Sequence, residues 1–148
     1  MPSTYVSLNY HIVFSTKDRN SLIADSWAPR LYEYLGGTIK GLGGVSLQVG
    51  GIEDHVHLLV GLKATQCLSD VLRELKRTSS IWVHNEIGEK RFAWQEGYSA
   101  FTVSPSAYQA VSGYIKNQRA HHQQKSFREE LIELLQRAGI EYDARYLD

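Results

Sequence analysis

Apolar positions follow two rhythms along the chain. Residues 4–16, TYVSLNYHIVFST, concentrate Val, Ile, Tyr, Phe and Thr, which suit a pleated surface, and predict a strand. Trp27, Leu31, Leu35 and Ile39 then recur at helical spacing within SWAPRLYEYLGGTIKGLGG, with Asp25 or Ser26 placed to cap the helix. Gly36 and Gly37 mark a weak point inside it, and Gly43 and Gly44 a C-terminal stop. Val45, Leu47 and Val49 alternate with Ser46, Gln48 and Gly50, the two-residue period of a half-buried strand. HVHLLVGL follows at once, so the turn falls at Glu53 and Asp54 and the pair reads as an antiparallel hairpin. Ser69 and Asp70 open a helix over 69–88, with Val71, Leu72, Leu75, Ile81 and Trp82 on its apolar side. WQEGYSAFTVS is strand-like and ends at Pro105 and Ser106. Helices follow over 107–124, capped by Ser106, and over 127–138, stopped by Gly139.

The order is strand, helix, strand, strand, helix, strand, then helices. That split β-α-β pattern predicts an α+β sandwich of ferredoxin-like (RRM-like) type: an antiparallel central sheet packed by helices. Residues 1–148 read as one domain, without an internal repeat, linker or low-complexity segment.

Charge alters this picture only through its distribution. The chain balances 16 basic against 16 acidic residues, which by itself argues against a nucleic-acid partner. Residues 129–148 hold six acids against Arg137 and Arg145, a net −4, which leaves +4 on residues 1–128. Residues 111–128 carry Lys116, Arg119, Lys125 and Arg128 and no acid, so one segment is locally basic. The lone cysteine, Cys67, forms no internal disulfide, suits a reducing cytoplasm and reads as a small buried residue. The N-terminus lacks a signal-peptide layout, and no apolar run approaches the ~20 residues that span a bilayer. The expectation is a cytoplasmic protein with no membrane partner.

Two constellations could carry chemistry. In a strand, His55 and His57 share a face, about 6.6 Å apart along the backbone, so two neutral imidazoles can meet one cation while Val56 points to the core. As a bare tripeptide the pair is equally compatible with polar surface or core histidines. The apolar Leu58-Leu59-Val60 that follows places it on a buried strand, where imidazoles need partners. On a helix over 107–124, Tyr114 and Gln118 lie one turn apart and present a phenol and an amide together. Tyr108, Tyr32 and Tyr142 have Ser112, Gly36 and Tyr146 at that distance. Lys116 and Arg119 flank the pair, and positive charge there favours phenolate and attracts phosphate. His121 and His122 fit helix C-terminal residues that complement the dipole.

His-hydrophobic-His on a strand, followed by Tyr-x-x-x-Gln near the C-terminal end, resembles the single-tyrosine HUH transposases, the transposase A proteins of the insertion-sequence 200/605 type. YHIVFSTKDR, DHVHLLV, LRELKRTSS, WQEGY, YIKNQRAHH and GIEYDARYL carry the resemblance over nearly the whole chain. It implies that His55, His57 and the side-chain oxygen of Gln118 bind a divalent metal, Mg or Mn. Tyr114, on a C-terminal helix, would attack single-stranded DNA, keep a 5′-phosphotyrosine bond and release a 3′-hydroxyl. It also implies a homodimer whose active sites can be shared between subunits, and recognition of hairpins at element ends. The turn reads Glu53-Asp54 where many members have Pro-Asp. Lys17, Arg19, Arg73, Lys76 and Arg77 are candidate phosphate contacts with Lys116 and Arg119, and Trp94, Tyr98 and Phe101 either stack bases or pack the core. The competing readings are a domesticated relative acting on genomic repeat hairpins, a non-catalytic ferredoxin-like module binding RNA or protein, and a metal hydrolase that uses water. Larger replication initiators and relaxases fit poorly with 148 residues.

Overall fold

The computed structural model describes residues 3–147. Four strands, β1 (Asn9–Ser15), β2 (Val45–Ile52), β3 (His55–Gly61) and β4 (Ser99–Thr102), form one antiparallel sheet in the order β2-β3-β1-β4. Helices α1 (Ala28–Gly41) and α2 (Leu68–Trp82) interleave with them. Among the described residues three α-helices follow β4: α3 (Tyr108–Lys116), α4 (Gln118–His122) and α5 (Phe127–Arg137). This is the ferredoxin-like α+β sandwich that the order of elements predicts, with three more helices after β4.

Alternation sorts the strand residues. Ile12 and Phe14 of β1 join Val56, Leu58 and Val60 of β3 and pack with Leu31, Leu35 and Ile39 of α1 and Val71, Leu72 and Leu75 of α2 in the main core. The opposite face, carrying His11, Val13, His55 and His57, lies under α3–α5. There Val13 packs with Phe127, Leu131 and Leu135 of α5 in a second, smaller cluster. Among the described residues no helix is long and apolar enough to cross a membrane.

Several boundaries differ from the sequence pattern for identifiable reasons. β1 starts at Asn9, which pairs with the last β3 residue, Gly61, and just before it the Leu8 carbonyl accepts the Leu62 N–H at 2.9 Å. α1 runs straight through Gly36 and Gly37 and is not capped by Asp25 or Ser26, since its first turn carries a proline instead. A bulge between Ser46 and Gln48 shifts the register of β2. Val45 therefore pairs with Gly61 on one face and Val49 with Leu58 on the other, and Val45 and Leu47 are exposed. On α2 the inward row continues from Leu75 to Ser79 and Val83, while Ile81 faces solvent. Cys67 precedes α2 and is exposed, not buried.

Candidate metal and nucleophile site

Register builds the floor of the site. β1 sets Ser15 opposite His55 and Val13 opposite His57, while β2 sets Gly50 opposite His57. A Cβ on Gly50 would stand 2.6 Å from the Ile115 carbonyl oxygen, so only a bare backbone lets α3 lie this close. The neighbour of Ile115 is Tyr114, whose ring centroid sits 5.7 Å from that of His57. The predicted helix 107–124 does not run unbroken: Asn117 leaves helical geometry (φ −98°, ψ 24°) and α4 restarts at Gln118, 1% exposed. Ser126 then caps α5 by accepting from the Glu129 N–H. That start of the helix lays the Phe127 ring on His55, centroids 4.2 Å apart, and brings Glu130 into the interior at 1% exposure.

Glu130 is the centre of the network. Its Oε1 lies 3.0 Å from His57 Nε2 and 3.4 Å from His55 Nε2. Its Oε2 lies 3.2 Å from His122 Nε2 and accepts the Tyr114 hydroxyl. Gln118 Oε1 lies 3.1 Å from His55 Nε2 and 3.0 Å from His122 Nε2, and its amide donates to the Tyr114 carbonyl at 3.3 Å. Each imidazole is held from behind. His55 Nδ1 meets Asp54 Oδ1 at 2.7 Å, His57 Nδ1 meets His11 Nε2 at 2.7 Å, and His122 Nδ1 donates to the Lys125 carbonyl at 2.8 Å. His55, His57, His122 and Glu130 each offer a donor atom, all within 4.8 Å of one another, and so could hold a metal ion.

Burial and neighbours set the charge states. Burial, with the nearby His57, lowers His11 to about 3. Burial likewise lowers His57 to about 4, against the pull of Glu130. Burial opposes a proton on His55 too, but the carboxylates of Asp54 and Glu130 outweigh it and lift His55 to about 9. Burial also works against ionised Glu130, yet hydrogen bonds from His122, His55 and His57 hold it well below the carboxylate range. The Tyr114 phenol is pushed far up, first by burial and then by its hydrogen bond to Glu130. This reverses the expectation that Lys116 and Arg119 favour phenolate: Lys116 is exposed and Arg119 pairs with Asp25.

The sequence model of the IS200-like transposases matches residues 4–118. The chain belongs to that family. It is 27% identical over 119 residues to the ISDra2 transposase TnpA of Deinococcus radiodurans, covering 75% of this chain and 84% of that one. A Deinococcus radiodurans R1 protein provisionally named a transposase shares the fold (TM-score 0.64, 24% identity, 80% of this chain and 95% of that one). So does a REP-associated tyrosine transposase bound to a REP hairpin (TM-score 0.60, 15% identity, 82% and 73%).

In this IS200-like transposase, His55, His57, Tyr114 and Gln118 come together inside one polypeptide. The basic candidates divide. Lys17 and Arg19 flank Asp18 in a turn after β1, at the His55 end of the sheet, where Asp18 and Arg19 adopt left-handed φ of 56° and 52°. Arg73 and Arg77 lie on α2, across the sheet from Tyr114, paired with Asp70 at 3.0 Å and Glu74 at 2.8 Å. Lys76 donates to the carbonyls of Gln95, at 2.8 Å, and Gly97. Trp94 packs on Phe14 and Phe92 in the core, Phe101 beside His11, and Tyr98 is exposed. His122 is drawn inward to the cluster, with a side chain 6% exposed, and does not serve as a solvent-facing helix end. Sequence reasoning missed Glu130, counting it within an acidic tail. One signal was present: Glu130 lies on the stripe of Phe127, Leu131, Leu134 and Leu135, an acid on the apolar side of its helix.

Proposed function

We propose that the chain cuts and rejoins single-stranded DNA at the hairpin-bearing ends of an insertion sequence. The observation that carries this is the convergence of Tyr114, His55, His57 and Gln118 on one buried spot. The Tyr114 hydroxyl passes its proton to the Glu130 carboxylate as its oxygen attacks a backbone phosphorus, the bond from phosphorus to the 3′ oxygen breaks, and that oxygen leaves as a 3′-hydroxyl after taking a proton from solvent. The 5′-phosphotyrosine conserves the phosphodiester energy, and attack by another 3′-hydroxyl reforms the phenol. Glu130 accepts the phenol hydrogen bond and holds that oxygen beside the imidazoles. His55, His57 and Gln118 would hold Mg or Mn, which supplies polarisation of the phosphate. A homodimer acting on hairpin DNA is the proposed assembly; a site completed within one chain supports each Tyr114 serving its own subunit. The relative seen with a REP hairpin supports a folded DNA partner.

Labelled single-stranded hairpin DNA incubated with the protein and Mg or Mn tests this. A covalent protein–DNA adduct is expected, and Tyr114→Phe binds the DNA but forms none. Cleavage without an adduct would identify a hydrolase, and binding without cleavage a non-catalytic module.

A further inference from the structure

The family match ends at residue 118, yet the most heavily engaged side chain of the site, Glu130, comes from α5 beyond it. We propose that Glu130 and His122 are further ligands of the metal centre, so that they hold the cation together with His55 and His57, with Gln118 a weaker donor at the same spot, and α5 is part of the active site. The inference deepens the function proposed above and rests on it for the chemistry, though not for the binding.

Three observations carry it. The first is aim. Asp54, His11 and the Lys125 carbonyl each engage the outer nitrogen of one imidazole, and all three Nε2 atoms point at the same carboxylate. Such backing partners fix the tautomer and direction of metal-bound histidines, whereas a simple ion pair needs only one histidine. The second is burial. The Glu130 carboxylate is 1% exposed, so no bulk water competes for its oxygens, and a cation can take the place of the imidazole protons that now meet them. The third is division of labour within the carboxylate: Oε1 faces His55 and His57, while Oε2 faces His122 and accepts the Tyr114 hydroxyl. One side chain thus reaches both the cation position and the nucleophile. Gln118 Oε1 touches the same spot through a neutral amide, a weaker donor than a carboxylate.

Two consequences follow. Three imidazole nitrogens and a carboxylate suit Mn, Co, Ni or Zn far better than Mg, which prefers oxygen donors and retains its waters. The cation also staples α5 to β3.

The test uses the full chain, stripped by chelator, with the metal alone as probe. MnCl2 is titrated by calorimetry and CoCl2 by visible absorption. Expected are tight Mn binding by the wild type, much weaker Mg binding, and a loss of at least about 10-fold in Mn affinity, with an altered Co spectrum, for Glu130→Gln and for His122→Ala. Gln118→Ala changes affinity less than either. Glu130→Gln binding Mn like wild type while His57→Ala loses it overturns the inference and leaves the proposed function standing. A wild type that binds Mn through Glu130 but forms no DNA adduct does the reverse. Hydrogen exchange on the wild type guards against a misfolded variant. Added Mn is expected to slow exchange in both β3 and residues 127–137; slowing confined to β3 overturns the inference.

Discussion

On one face of the sheet Ile12, Phe14, Val56 and Leu58 meet α1 and α2 in an almost wholly apolar core. On the other, the alternate residues of the same two strands present His11, His55 and His57 to α3, α4 and α5. His57 and Leu58 are chain neighbours, both 0% exposed, and belong to different physical regimes. Leu58 contributes stability by leaving water, a non-directional effect that scales with area. His57 is buried at a cost that only directed partners offset, and among the described residues every buried side-chain polar atom has one. The comparison teaches that a thin sheet can hold a dry face, which keeps the strands in register, and a polar face, which that register aims.

Leu58→Ala separates the two faces most sharply. It should cost roughly 2–5 kcal/mol in denaturant unfolding, with the affinity for MnCl2 of the folded fraction unchanged. A large loss of metal affinity would mean that the faces are coupled. Gly50→Ala probes the polar face alone. Its methyl meets the Ile115 carbonyl, so α3 must shift and carry Tyr114 with it. The rate of adduct formation should fall on the order of 100-fold, with a much smaller change in stability.

The subtlest distinction lies in pH. His11 and His57 have folded values of about 3 and 4, below their ordinary 6.5. Their contributions are complete above 6.5 and are lost as pH falls toward those values. Glu130 adds to this acid loss below 4.5, since its folded value is depressed. His55, lifted to about 9, contributes fully below 6.5 and loses that contribution as pH rises through 9. The melting temperature of metal-free protein should therefore peak near pH 6.5, with the steeper fall on the acid side. Leu58→Ala should lower this curve while keeping its shape; a flat profile would show that the polar face contributes no titratable stability.

Most of the scaffold was legible because it rests on local periodicity. The alternation through HVHLLVGL assigns His55 and His57 to one face and Val56 and Leu58 to the other without reference to any other segment. The helical spacing of Leu31, Leu35 and Ile39 likewise names their buried row. The bulge in β2 was hidden, because a register shift depends on the partner strand and leaves the alternating letters unchanged. The break at Asn117 was hidden because Tyr114 and Gln118 at four-residue spacing also suit an unbroken helix.

What the sequence alone determined, then, is the order of elements, the sides on which the strand residues point, and four side chains, His55, His57, Tyr114 and Gln118, worth testing. Only the tertiary structure decided that α5 folds back over the histidines, that His11 and Asp54 hold two of them from behind, and that Glu130 stands between them and the phenol. The reason is range. Periodicity reports on residues a few positions apart, whereas Glu130 meets His57 across 73 positions, and that meeting depends on Phe127 and Leu131 packing against His55 and Val13.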